Sequence, residues 1–165
     1  MQKNNVTMWF LECYETYADG VFRFCLMKTS DRDVALDLSQ EAFTKLWDHV
    51  RSGKDVKYPK ALLFTITRNL VIDYYRKKKE VSLDERIEAG IEPAARDATT
   101  ETEASYEEAL AAIRSLEEPY QEAVYLRYVE ELNPRDIAAV TGEKPNVVSI
   151  RITRGMKMLR EKMRV

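Results

Sequence analysis

A chain of 165 residues and 19.2 kDa holds one ordinary domain or two small ones, and 45% hydrophobic residues suffice for a core. Charged residues make up 33%, above the usual quarter or so, yet the net charge is only −2. Two cysteines, one histidine and five glycines leave little for a disulfide framework, a zinc site, a histidine-dependent triad or a glycine-rich phosphate cradle.

Resolved along the chain, the charge is far from neutral. Residues 51–79 carry +7, residues 80–118 carry −9 and residues 144–165 carry +6. Two basic blocks separated by an acidic one suggest two contacts with a polyanion, which the overall pI of 5.6 hides. No apolar run approaches the roughly 20 residues needed to span a bilayer. The N-terminus lacks the basic-then-apolar order of a secretory signal, so a cytoplasmic protein without membrane insertion is expected. Cys13 and Cys25, flanked by Tyr14 and Phe24, read as core residues.

From Val6 to about Lys28, Phe10, Cys13, Tyr17, Val21, Phe24 and Met27 recur in steps of three and four, the stripe of a long amphipathic helix. Ser30 with Asp33 resembles a capping box for a second helix running to about Val50, with Val34, Leu38, Ala42 and Leu46 as its stripe and Phe43 and Trp47 beside it. Asp33, Asp37 and Glu41 form a row of carboxylates on that helix. Such a row serves a metal, acid–base chemistry, or more simply a solvated or partner-bound face. No second acidic motif completes a metal site. Pro59 suits the first turn of a third helix carrying Ala61 through Lys79 and burying Leu63, Ile66, Leu70 and part of Tyr74.

Residues 80–104 are acidic, contain Gly90 and Pro93, and show no sustained apolar period, which predicts a flexible acidic linker. Tyr106, Ala109, Leu110, Ile113 and Leu116 then mark a fourth helix from about Ser105, and Tyr120 to Val129 a fifth. Asn133-Pro134 opens a short helix that ends at Gly142, and Asn146 is expected to cap a last helix reaching about Met163. The β-branched stretch 147–153 is compatible with a strand, but Val148, Ile152 and Leu159 keep a helical step through and beyond it. The fold class predicted is all-α: two small helical domains, 1–79 and 105–165, joined by the linker 80–104.

A short helix stopped by glycine, a turn and a longer basic helix form the layout of a helix-turn-helix. With Val148, Ile152 and Leu159 turned to the core, Ser149, Ile150, Thr153, Arg154 and Lys157 face outward, with Arg151 at the flank and Asn146 at the start. Arginine bonds guanine in two places, serine reads several base edges and isoleucine meets a thymine methyl. An ordinary three-helix bundle with a solvated basic end is the plainer alternative. In the other basic block, Lys54, Lys57 and Lys60 crowd a loop and helix start that includes Arg51. Arg68, Arg76 and Lys77 follow on the helix, where Asn69 and Asp73 share their spacing. Interleaved Tyr58, Tyr74 and Tyr75 suit single-stranded DNA, which offers phosphates and open base faces together.

The run Asp37-Leu38-Ser39-Gln40-Glu41-Ala42-Phe43 with Trp47 precedes Leu63-Phe64-Thr65-Ile66-Thr67-Arg68-Asn69-Leu70 with Ile72-Asp73-Tyr74 and Arg76. Together they resemble the second conserved region of extracytoplasmic-function sigma factors. Leu116 to Leu159, including Leu126-Arg127-Tyr128 and Asp136-Ile137-Ala138, resembles their fourth region. The resemblance implies a promoter-specificity subunit of bacterial core RNA polymerase with no chemistry, cofactor or metal of its own. It implies polymerase docking by Asp37, Gln40, Glu41, Phe43 and Trp47; core is the alternative place for Leu38 and Phe43, and periodicity favours it for Leu38. Lys54, Lys57, Tyr58, Lys60, Arg68, Asn69, Asp73, Arg76 and Lys77 would hold the melted minus-ten element. Asn146, Ser149, Ile150, Arg151, Thr153, Arg154 and Lys157 would read the duplex minus-thirty-five element. An anti-sigma factor is an expected partner. The recognition-helix start, Asn146-Val147-Val148 followed by Ser149-Ile150-Arg151, departs from the Gly-Thr-Val, basic, Ser, Arg pattern frequent in the family, so a promoter sequence does not transfer. Leu62 stands where many members have Trp. The alternative reading is a dimeric helix-turn-helix regulator that binds palindromic DNA without polymerase.

Overall fold

The computed structural model describes residues 3–82 and 101–164, and among them every regular element is an α-helix. The chain divides into two compact units, residues 1–94 and 95–165. No helix among the described residues is long and apolar enough to cross a membrane.

The first unit packs three long helices on one another: α1 (Lys3–Thr29), α2 (Arg32–Arg51) and α3 (Pro59–Ser82). Its centre is built from Val21, Phe24 and Cys25 of α1, Ala35, Ala42 and Leu46 of α2, and Leu63 and Phe64 of α3. Phe24 and Phe64 meet edge to face at 5.7 Å, a geometry that adds about 0.5–1.5 kcal/mol beyond the area buried. The turn between α1 and α2 is tighter than a capping box at Ser30 predicts. Ser30 is left-handed, with φ 53°, and Asp31 is the cap, its carboxylate accepting from the Asp33 and Val34 amides at 3.0 and 3.2 Å. Asp31 replaces Ser30 in that role because α1 extends to Thr29 and leaves Ser30 to reverse the chain.

Helix α3 is rotated from the stripe its sequence suggests. Phe64, Thr67 and Val71 are buried with Leu63 and Leu70, whereas Ile66 is half-buried. A threonine is tolerated at full burial because its hydroxyl donates to the Leu63 carbonyl at 2.7 Å and needs no water. At its far end, Tyr75 donates from its hydroxyl to the Lys28 carbonyl and ties α3 to the end of α1.

The second unit holds α4 (Glu101–Arg114), α5 (Glu118–Tyr128), α6 (Pro134–Thr141) and α7 (Pro145–Met163). Helix α5 lies against α4, α6 and α7, and its buried run of Ala123 to Leu126 meets Ile113, Ile137, Val140, Val148 and Leu159 in one core. Tyr125, fully buried, donates to a carboxylate oxygen of buried Glu130 at 3.0 Å, so both polar groups are satisfied. Asn133 caps α6 by accepting from the Asp136 amide at 2.9 Å, and Gly142 ends it in the left-handed region at φ 75°.

Helices encroach on the expected linker from both sides, α3 reaching Ser82 and α4 starting at Glu101. Residues 83–100 lie outside the described residues, and with them most of the linker expectation.

Candidate nucleic-acid interface

In the second unit the geometry follows from two punctuation residues. Gly142 turns the chain, and Pro145 occupies the first turn of α7, its missing N–H having no helical partner there. That places the cap at Lys144, two residues earlier than the Asn146 cap expected from sequence, and Asn146 stands exposed within the first turn of α7 instead. Val148, Gly155 and Leu159 face inward. The outward face carries Asn146, Ser149, Ile150, Thr153, Arg154 and Lys157, all exposed, with Ile150 50% accessible despite being aliphatic. Arg151 is half-buried on the flank and bonds the Glu143 carboxylate at 3.3 Å.

Gly155 decides how close α7 comes to its support. A Cβ there would meet the Val124 Cγ2 methyl at 2.6 Å and Tyr120 at 3.4 Å, too near for any side chain without movement. The recognition helix is therefore pressed onto α5 by a glycine inside a helical run. That residue is the one sequence sign of this contact, and periodicity alone does not distinguish it from Met156.

In the first unit the basic residues divide into a loop and a helix face. Lys54, Lys57 and Tyr58 project from the α2–α3 connection, Tyr58 being 69% accessible, and Lys60 is half-buried at the start of α3. Along α3, Asn69, Arg76 and Lys77 are exposed and Arg68 and Asp73 half-buried, with Asp73 paired to Arg76 at 3.1 Å. Exposed Ile72 interrupts that polar face. Tyr74 and Tyr75 meet edge to face at 5.3 Å, with the Lys78 ammonium 5.9 Å from the Tyr74 ring centre.

Beside the basic loop lies a cavity of about 560 Å³ that no reading of single helices finds. Trp9 and Val6 of α1, Trp47 and Val50 of α2, and Val56 of the loop supply apolar walls, while Lys3, Arg51 and Lys54 supply positive charge against the single carboxylate of Asp55. Residues from three segments converge there, so no local spacing betrays it.

The acidic face of α2 is also open. Asp33, Asp37, Gln40 and Glu41 are exposed and surround Leu36, itself 48% accessible. Phe43 is not part of this surface: it is buried against Tyr14 at 4.8 Å and Phe10 at 6.3 Å. Trp47 is half-buried, with Phe10 at 5.1 Å. Among the described residues no group of three or more His, Cys, Asp or Glu side chains is placed to hold a metal ion, so the carboxylate row of α2 is not gathered into such a site. Burial pushes the Cys25 thiol up to about 12 and also raises Cys13, which leaves both as inert packing groups at neutral pH.

Comparison with known proteins meets this geometry on both units. Residues 13–81 match the Sigma-70 region 2 family model and residues 106–159 the Sigma-70 region 4 model. The ECF RNA polymerase sigma factor SigM of Bacillus subtilis is 36% identical over 132 residues, covering 78% of this chain and 79% of that protein. RNA polymerase sigma factor SigV of the same organism is 28% identical over 163 residues, covering 97% and 95%. In fold, the chain is similar to the sigma factor RpoE of Bartonella quintana, solved in complex with the anti-sigma factor NepR. That likeness has a TM-score of 0.76 at 24% identity and covers 94% of this chain and 97% of that one. With both halves matched in order, the chain belongs to the extracytoplasmic-function family of RNA polymerase sigma factors.

Proposed function

We propose that this sigma factor directs initiation by holding a promoter at two places, with duplex DNA on α7 and melted DNA on the loop and helix face of the first unit. The observation that carries the reading is the outward face of α7, where reading residues and cations occupy one side of a helix wedged in place by Gly155. Ser149, Ile150, Thr153 and Arg154 are the base-reading group, and Lys157 and Asn146 bond phosphate or base edges beside them.

Residues 1–79 act as the minus-ten and polymerase module, 105–165 as the minus-thirty-five module, and 80–104 as an acidic tether that like charge keeps off DNA. Lys54, Lys57, Lys60, Arg68, Arg76 and Lys77 bond the backbone of the melted strand, and Tyr58, Asn69 and Asp73 meet its bases. The Trp9–Trp47 cavity has the apolar walls and net positive rim, three cations against Asp55, that suit one unstacked base. Asp37, Gln40 and Glu41 dock on a basic surface of core polymerase. Phe43 supports that surface from beneath, and Trp47 supports it while also lining the cavity. The chain supplies no catalytic group, acts in the cytoplasm where polymerase works, and is held silent by an anti-sigma partner of the kind bound by the Bartonella relative.

Reconstitution tests this directly. Purified chain added to bacterial core polymerase should start transcripts at a defined site on DNA selected by the complex. Core polymerase that neither binds the chain nor changes its start sites would overturn the reading. Tight binding of a two-fold DNA site without polymerase would select the dimeric regulator instead.

A further inference from the structure

The Glu143–Arg151 pair sits where the recognition helix begins, and the proposed minus-thirty-five surface does not explain it. Glu143 lies in the turn between Gly142, fixed in the left-handed region, and Pro145, the first-turn proline of α7. Its exposed carboxylate pairs with Arg151 at 3.3 Å. Arg151 lies about 120° round the helix from Lys157, on the flank rather than in the middle of the reading face. In a docked helix-turn-helix the second helix enters the groove while the first crosses the phosphate backbone. Arg151, paired to the residue that joins those two helices, stands on the side where phosphate passes.

We infer that Glu143 competes with a DNA phosphate for Arg151, and so sets how tightly and how salt-sensitively the helix-turn-helix holds DNA of any sequence. The magnitudes fit a competitor rather than a lock. The ion pair is 3.3 Å long and its side chains are 31% and 40% accessible, which puts it among pairs worth about 0.2–1 kcal/mol. Duplex DNA carries one charge per roughly 1.7 Å of its axis, so a phosphate displaces a single carboxylate readily but not without loss. The lost affinity is independent of base sequence, because phosphate contacts position a protein without reading it. Ser149, Ile150, Thr153 and Arg154 keep discrimination, and the pair limits what backbone attraction adds.

This inference rests on the proposed duplex contact of α7, and the test separates the two. The wild-type chain, E143Q, R151A and the double variant are each bound to core polymerase. They are then titrated with a promoter selected by the wild-type complex and with the same DNA carrying altered minus-thirty-five bases. Removing the carboxylate should tighten binding about 1.4- to fivefold on every sequence, the range that the pair's strength implies. It should also steepen the log–log salt dependence, by at most about 0.9, because wild type makes that one phosphate contact only part of the time. In the R151A background the same change should have little effect. Wild type that shows no dependence on minus-thirty-five sequence would refute the α7 assignment. If wild type reads the element and E143Q is unchanged, only the competition fails. Equal tightening with and without Arg151 would mean that Glu143 repels DNA by itself, and a gain confined to one base pair would place Arg151 on a base edge; either overturns the inference.

Discussion

On the proposed reading, the two units would meet DNA in structurally different ways. The second concentrates its reading residues on one 19-residue helix whose placement is fixed by a glycine, a proline and a left-handed turn. The first assembles its surface from α1, the α2–α3 connection and α3, with a cavity walled by tryptophans that are far apart in sequence. Double-stranded DNA presents a regular groove that one straight element fills, whereas a melted strand presents loose bases and a bent backbone that need several elements. The contrast teaches that a helix is a sufficient reader for a duplex, while a single strand demands tertiary structure.

Damage to either core is the strongest way to test whether the two units stand apart. Phe24→Ala removes a fully buried ring from the first unit and should cost about 3–5 kcal/mol. Hydrogen exchange should show lost protection in α1–α3 with α5–α7 retained; equal loss in both would break the comparison. Gly155→Val tests the wedge in the second unit. Overpacking against Val124 should cost about 1–3 kcal/mol, read as a lowered melting transition of α4–α7 and weakened duplex binding.

Binding variants sharpen the contrast between duplex and single strand. Arg154→Ala should weaken duplex binding by about 1–3 kcal/mol and relax preference at one base position if its contact is bidentate. Equal loss on all sequences would move Arg154 to phosphate. Trp9→Ala should instead leave duplex fragments unaffected and cost about 1–3 kcal/mol on single-stranded minus-ten DNA, the value of one stacked base. Both variants are titrated as complexes with core polymerase on the two DNA forms.

Smaller effects probe local geometry. Asn133→Ala removes the cap of α6 and should lower stability by about 1 kcal/mol in denaturant titrations, with the loss confined to the second unit. Cys25 offers a pH test for the first unit alone. Its folded-state pKa lies above the ordinary thiol value, so the unfolded chain releases that proton first as pH rises. Stability is thus unaffected below about pH 9 and falls between 9 and 12, and Cys25→Ser should flatten that fall. At neutral pH the thiol should resist alkylation in the folded chain.

Much of this molecule was legible in its linear pattern. The helical steps around Phe24, Leu46 and Val148, the Asn133-Pro134 start and the Gly142 stop are local signals, because capping and periodic burial are decided within a turn or two. The face of α7 follows from the same arithmetic, since every residue on one helix has a fixed angular place. Charge sign is equally local, which is why the two cationic blocks stand out in the sequence.

What needed the fold is whatever depends on a neighbour distant in the chain. Phe43 looks like a docking residue until α1 brings Phe10 and Tyr14 over it. Thr67 looks polar until packing buries it fully and its own helix accepts its hydroxyl. The Trp9–Trp47 cavity and the close approach of Gly155 to Val124 arise only when helices pack, since a helix fixes the angles of its own side chains and not the distance to the next helix. Sequence alone therefore settled the elements, the cap and stop of α6 and the charges, while the other two caps and the choice of which exposed-looking residues stay at the surface were decided by how the chain turns and packs.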